Sequence, residues 1–317
     1  MTGRKKRKGM GVLALCVTLV IAAACSFLLI DPLAWWREES GGEIPREAFP
    51  GVEEPPLYPP GEVLGSRTLN VLILGLDHGM GRPQQGNERS DVIMIAHVDG
   101  SRKKTCLLSI PRDSYVQIPG HGRSKINEAY AVGGAGLAVR TVEEVTGMDI
   151  HRYLVLDFDE LRWLVDLFGG VQVTLDRAIS DPKTGYIPAG SSLLDGNQAL
   201  VMARSRNYPQ GDLERVRQQQ RLIMQILYKG KEMAAYPGAA WFLSVALDSL
   251  ESDLSREEVI GLAREFAAFP VVDVQGGVAP GRLGAVGGAS VYLLDEARLR
   301  LLVDSIEELC TVPEEFR

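Results

Sequence analysis

The 317-residue chain is poor in the residues that usually announce enzyme chemistry, with four histidines and four cysteines. No CxxC or HExxH spacing occurs, which excludes a zinc ribbon and a zinc-protease helix. GxSxG, GxxxxGK[ST] and GxGxxG are also missing; their absence excludes a nucleophile elbow, a P-loop and a dinucleotide fingerprint. Basic charge is scarce where nucleic acid would need it. Five of the 34 Lys and Arg fall in residues 1–30, leaving 29 bases against 41 acids, a net of −12, in the remainder. Such a body lacks the basic surface that displaces counterions from nucleic acid. With 45% apolar and 24% charged residues, the composition is globular rather than disordered, collagenous or disulfide-framed.

A long apolar run is present at the N-terminus. Met10 to Ile30 is 21 residues without a charge, enough at about 1.5 Å per residue to cross a bilayer core of about 30 Å. Arg4, Lys5, Lys6, Arg7 and Lys8 precede it and Trp35 and Trp36 follow it, as the positive-inside rule and aromatic anchoring require. A cleaved signal peptide is the rival reading, but its apolar core is only about 7–15 residues. Ala22-Ala23-Ala24-Cys25 has a faint lipoprotein form, yet Phe27-Leu28-Leu29-Ile30 continues the span. The resulting expectation is a cytoplasmic tail over 1–9, a transmembrane helix over 10–31, and everything beyond it outside the membrane. Residues 32–66 form a proline-rich stalk; six of the 17 prolines lie in 37–66.

Residues 67–317 read as one domain. Val71–Leu76, Val92–Val98, Thr105–Ile110, Tyr153–Phe158 and Val171–Leu175 are strand candidates. Between and after them run helical patterns: Leu137, Thr141 and Val145; then Leu161, Leu164, Val165 and Phe168, stopped by Gly169-Gly170. A long helix is expected from Leu213 to about Met233. Ser255-Arg256-Glu257-Glu258 has capping-box form, and Leu299, Leu302, Val303 and Ile306 mark a last helix. The alternation predicts an α/β fold, an α/β/α sandwich around a central mixed sheet, preceded by one transmembrane helix. Cys106 and Cys310 sit in apolar periodic segments with no spacing that pairs them, and read as buried free thiols.

The chemistry-bearing residues are arginine and aspartate at segment ends. Asp77 ends the first strand, Arg89-Ser90-Asp91 precedes the second, and Pro111-Arg112-Asp113 follows the third. Lys125 and Asn127 are assigned to the next loop. Arg204 and Arg206 close a strand-like stretch, and Asp212, Arg215 and Gln219 share a helix face at i, i+3, i+7. Arginine forks suit phosphate oxygens, and carboxylates without Cys or His suit Mg²⁺ or Mn²⁺. Each Arg–Asp pair taken alone also fits a surface ion pair, Asp212 alone fits an N-cap, and His78 beside Asp77 is a weak ligand candidate.

Leu72–Asp77, Arg89-Ser90-Asp91, Ser109–Asp113, Lys125–Tyr130, Asp195–Leu200, Arg204-Ser205-Arg206 and Gly211–Arg215 together resemble the LytR–CpsA–Psr family of bacterial cell-envelope proteins. The resemblance covers about Leu69 to Tyr228; residues 231–317 match loosely, as the variable end of the same domain. It implies a membrane-anchored phosphotransferase that moves a glycopolymer (teichoic acid, capsule or another secondary polysaccharide) from a polyprenyl-pyrophosphate carrier to a muramic acid hydroxyl of peptidoglycan, with pyrophosphate hydrolysis as a side activity. Carried over by position, Asp77 and Asp91 hold Mg²⁺ or Mn²⁺. Arg89, Arg112, Arg204, Arg206 and Arg215 surround the pyrophosphate, with Lys125 and Gln219 assisting. Asp212 orients an arginine or activates the acceptor, so Arg112, Asp212 and Arg215 form the catalytic group. Gln218 stands where the family often has arginine, and Arg217 next door is a candidate replacement. The implied partners are the lipid-linked glycopolymer, peptidoglycan and membrane lipid, not nucleic acid. The lipid calls for an apolar groove, for which Leu161, Leu164, Val165 and Phe168, and Leu222, Ile223, Ile226 and Leu227, are the candidate walls, unless they merely pack the sheet. The alternative readings are a non-catalytic polyprenyl-phosphate binding protein and an envelope-linked regulator carrying a transcriptional-attenuator label; a nine-residue cytoplasmic tail is too short to read DNA.

Overall fold

The computed structural model describes residues 68–76, 88–181, 185–205, 208, 211–234, 250–268 and 273–317. The expected tail, span and stalk lie outside the described residues, as do Asp77, His78 and Arg206. Among the described residues no helix is long and apolar enough to cross a membrane.

The centre is a six-stranded sheet built on β1 (Thr68–Leu76), β2 (Ser90–Asp99), β3 (Lys104–Ser109), β6 (Arg152–Asp157), β11 (Glu251–Ser252) and β12 (Asp273–Val278), in the order β11-β6-β1-β2-β3-β12. β1 runs parallel to β6 and antiparallel to β2, and β3 runs parallel to β12, so the sheet is mixed. Side chains of a strand alternate faces, and the sequence of β1 fills both. Leu72, Leu74 and Leu76 pack against α1 (Glu128–Thr146) and α6 (Glu296–Leu309). Val71 and Ile73 face the opposite layer, where Ile223, Met224 and Leu227 of α4 (Asp212–Ala234) lie. α5 (Arg256–Ala268) packs beside α4 on that side. The expected sandwich is therefore present.

A second apolar cluster joins α2 (Phe158–Leu167), β7 (Val171–Leu175), β8 (Ile179–Asp181), β9 (Gly185–Ile187), β10 (Gly190–Leu194) and α3 (Gly196–Arg204) to α4. The capping boxes at Asp157/Glu160 and Asp195/Gln198 start α2 and α3, and Ser255 and Glu258 reciprocate at the start of α5. Gly169 (φ +70°) ends α2 as the paired glycines require.

Three sequence expectations are corrected. Arg204 ends the helix α3 rather than a strand, because Asp195 caps an apolar stripe that the stretch's shortness conceals. Lys125 ends the strand β5 (Gly122–Lys125), which pairs with β4 (Tyr115–Ile118) as a hairpin, instead of lying in a loop. Asp212 is the first residue inside α4, not its cap, since Arg215 N–H already bonds the Gly211 carbonyl. The hairpin of β13 (Gly281–Val286), mostly exposed, and β14 (Ala289–Leu294), which buries Val291 and Tyr292, gave no clear signal in the sequence.

Candidate functional site

One backbone irregularity creates the site. Gly75 pairs with Val92 and Leu76 pairs with Ser90, so Asp91 is an extra residue without a ladder partner. Such a bulge bends the strand and re-aims its side chain. A Cβ on Gly75 would lie 2.7 Å from Val92 Cβ, so only glycine allows the strands to close together there.

Asp91 meets Arg112 in the turn after β3, with Arg112 Nη1 donating to Asp91 Oδ1 at 2.7 Å. Asp113 and Asp212 stand 4.0 and 3.9 Å from the same guanidinium. Arg112 Nε is buried and makes no hydrogen bond among the described residues. Burial alone would lower the pKa of Arg112, but Asp91, Asp212 and Asp113 outweigh it and raise it. Lys125 Nζ donates to Asp113 Oδ1 at 2.7 Å, and Arg215, whose side chain is 3% exposed, pairs with Asp212 at 2.6 Å. These are not surface pairs: the side chains of Arg112 and Asp91 are each 16% exposed, in the range where charge pairs hold their geometry instead of dissolving into solvent.

The long helix is fixed over this corner by a buried amide. Gln220 Nε2 lies within hydrogen-bond distance of the carbonyls of Leu107 and Gly277 and of Ser109 Oγ. That clamp, one to two turns along α4, sets Asp212 and Arg215 beside the end of β3. Arg112, Arg215, Lys125, Asp91 and Asp212 thus converge, as expected, although Arg112 and Arg215 are 103 positions apart.

The other expected residues take different positions. Arg204 lies over the Phe158 ring, 4.7 Å from its centroid. Gln219 is buried and donates to the Ala203 carbonyl at 3.0 Å. Phe158 and Gln219 line a small apolar cavity of about 40 Å³ that also touches Gly75 and Val92, next to Asp91. Arg89 sits at the exposed rim, bonded to Glu128 at 2.8 Å. Gln218 donates to Glu214 at 2.8 Å, and Arg217 approaches the same carboxylate at 3.9 Å. The Phe158 platform and the Glu128 contact escape sequence reasoning, since an aromatic beginning a helix and a glutamate in its first turn have plain structural roles elsewhere.

Behind the small cavity lies a larger one of about 250 Å³ between the sheet and α2, α4 and α5. Ile73 borders both cavities. Leu164, Phe168, Ile226 and Leu227 line the larger, and Leu161, Leu222 and Ile223 the smaller, so both expected helix faces leave open apolar space beside the sheet.

Three carboxylates, Asp91, Asp113 and Asp212, offset three cations, Arg112, Lys125 and Arg215, in the inner cluster. Carboxylate oxygens are the ligand type that a hard Mg²⁺ or Mn²⁺ takes. Among the described residues no three His, Cys, Asp or Glu converge as a ready coordination shell, so Asp91 would need further oxygens.

Arginine forks in one part of the domain and an open apolar cavity in another are the two features that an amphiphile with an anionic head group calls for. The chain belongs to the LytR_cpsA_psr family, whose sequence pattern matches residues 60–307. It is 37% identical over 201 residues to the polyisoprenyl-teichoic acid–peptidoglycan teichoic acid transferase TagU of Enterococcus faecalis, covering 62% of this chain and 65% of that protein. It is 36% identical over 171 residues to the regulatory protein MsrR of Staphylococcus aureus, covering 53% of this chain and 51% of that one. The chain thus spans about half to two thirds of the length of these curated relatives. Among solved structures it is similar to the LytR-CPS2A-psr family protein YwtF (TagT) with bound octaprenyl pyrophosphate lipid. That match has 25% identity and a TM-score of 0.60, over 79% of this chain and 98% of that one.

Proposed function

We propose that this chain is a membrane-anchored phosphotransferase that moves a glycopolymer from a polyprenyl-pyrophosphate carrier to a hydroxyl of peptidoglycan. The observation that carries the reading is Arg112, held among Asp91, Asp113 and Asp212, in a domain whose sheet, α2, α4 and α5 also enclose an apolar cavity. The transferase name of the Enterococcus relative and the lipid pyrophosphate in the YwtF structure support the same assignment.

In this reading the polyprenyl chain lies along the cavity and its pyrophosphate meets the arginines. The acceptor hydroxyl attacks the glycan-side phosphorus, the bond to the bridging oxygen breaks, polyprenyl phosphate leaves with that oxygen, and the hydroxyl proton passes to solvent or to the departing phosphate. No covalent enzyme intermediate is needed; such transfer depends on positioning and on neutralising spread charge. Arg112 and Arg215 supply that charge, and Asp212 holds the two forks in register from between them. Arg204 on Phe158 and Arg89 at the rim extend the cationic surface, Arg206 is assigned to the same anion, and Lys125 keeps Asp113 from competing for the phosphate. Gln219 borders the throat between head and tail. Asp91 with Asp77 would hold Mg²⁺ or Mn²⁺, which supplies two further positive charges to an inner cluster that is otherwise neutral. The span over 10–31 would keep the domain at the outer membrane face.

The test is turnover by the purified full-length protein given lipid-linked glycopolymer and peptidoglycan. Release of polyprenyl phosphate in step with glycan attachment is expected. Tight lipid binding with no release would instead make the protein a carrier.

A further inference from the structure

The sequence offers no reason to pair Cys106 with Cys310, which lie 204 positions apart. The fold brings them together: both are 0% exposed, and Cys310 Sγ donates to Cys106 Sγ across 3.3 Å. Cys106 belongs to strand β3 of the six-stranded sheet, and Cys310 closes α6. A second observation concerns the backbone. Cys310 has φ +44°, one of two described non-glycine residues at positive φ. A helix end in this left-handed conformation ordinarily takes glycine, because a Cβ is disfavoured there. A cysteine kept at that position is explained by what its side chain reaches.

We propose that Cys106 and Cys310 are a disulfide site that staples α6 to the central sheet in the mature envelope protein. This goes beyond the transferase reading and rests only on its placement of the domain outside the membrane, where disulfides persist. The bond forms by exchange with a disulfide oxidant, a protein dithiol oxidase or a small-molecule disulfide. One thiolate attacks the oxidant's sulfur and releases its first thiol. The second cysteine then attacks the mixed disulfide, the Sγ–Sγ bond forms, and the oxidant leaves as two thiols carrying both electrons and both protons. The hydrogen bond from Cys310, and then burial, push the Cys106 thiol far above its ordinary range, and thiolate is the attacking form. Oxidation therefore belongs to folding, before α6 docks.

The test uses the full-length protein in membranes of a producing bacterium. Cells are quenched in acid, denatured with one maleimide, then reduced and labelled with a second of different mass. Cys106 and Cys310 are expected to carry the second label, and Cys16 and Cys25 the first; the first label on Cys106 and Cys310 overturns the proposal. A parallel refolding of the detergent-purified full chain in glutathione disulfide locates such a failure. A bond formed there but not in cells indicts the placement of the domain, and no bond in either indicts the geometry. Cys310→Gly removes the bond while relaxing the backbone. A reductant is expected to lower the melting temperature of the wild type by about 10 °C, as closure of so long a loop implies, and to leave Cys310→Gly unmoved. A Cys310→Gly protein as stable as untreated wild type would show that the two thiols only pack.

Discussion

Replacing Arg112 by alanine tests the phosphate site most directly. Arg112 makes a charge-assisted bond to Asp91 and has a buried Nε with no hydrogen bond among the described residues. A guanidinium so held against phosphate is worth roughly 1.5–3 kcal/mol. Its loss should therefore weaken binding and turnover of a polyprenyl-pyrophosphate glycan roughly 10- to 150-fold, at 1.36 kcal/mol per decade. Arg112→Lys should recover part of this, because lysine keeps the charge and loses the fork. Arg298 is the control: it is half exposed, pairs with Glu315 at 3.2 Å and lies over Phe316, so Arg298→Ala should change the rate less than about fivefold. Arg112→Ala also leaves Asp91, Asp113 and Asp212 facing one another. The double variant Arg112→Ala/Asp91→Ala should then be less damaged than the two single losses added together. Binding by calorimetry and product release by chromatography give the two readouts. Equal behaviour of Arg112→Ala and Arg298→Ala would refute the assignment, as would strict additivity with Asp91→Ala.

Asp91→Ala should cut Mg²⁺-dependent turnover at least tenfold with an unchanged circular-dichroism spectrum; a wild-type rate in excess chelator would remove the metal from the mechanism. Ala263→Trp, placed in the larger cavity, should weaken binding of a long polyprenyl pyrophosphate but not of a short-chain analogue, and equal loss for both would show that the cavity does not take the lipid. His97 gives a pH test. Burial lowers its pKa to about 4, against an ordinary value near 6.5. Its Nδ1–H donates to Asn70 Oδ1 at 2.7 Å, because the Asn70 amide nitrogen is already donating to Asp149, while Nε2 has no hydrogen-bond partner among the described residues. The unfolded chain takes up a proton below 6.5 and the folded one only near 4, so this contribution is complete above 6.5 and falls by up to about 3 kcal/mol as pH drops to 4. Urea unfolding across that window should show a smaller fall for His97→Gln, and identical slopes would refute it.

What the sequence made legible was what local pattern determines. The apolar runs of β1 to β3, the capping box at Ser255, and the paired glycines after α2 announced their elements within a few residues, whereas the caps at Asp157 and Asp195 are seen only in the fold. The convergence of Arg112, Lys125 and Arg215 was legible only because strand ends and helix starts tend to gather in an α/β sheet. The β4–β5 hairpin was not, since Tyr115–Lys125 contains two glycines, a proline and no sustained alternation. Nor was the role of Gln220, a polar residue on a helix face that would ordinarily point to water. Nothing local marks Phe158 as the seat of Arg204, or Cys310 as the neighbour of Cys106; both depend on how distant elements dock.

The bulge at Asp91 also separates two kinds of freedom. On one side of it the ladder between β1 and β2 is locked, because a slip of one residue would turn Leu72 and Leu74 from one helical layer to the other. On the other side runs the segment 77–87 that joins the two strands. Asp91 itself belongs to neither: it has no ladder partner, so its pairing with Arg112 is made without drawing on the register behind it. The protein can thus be retuned at its cationic corner, for a bulkier head group or a different acceptor, by changes that leave the hydrophobic layers untouched.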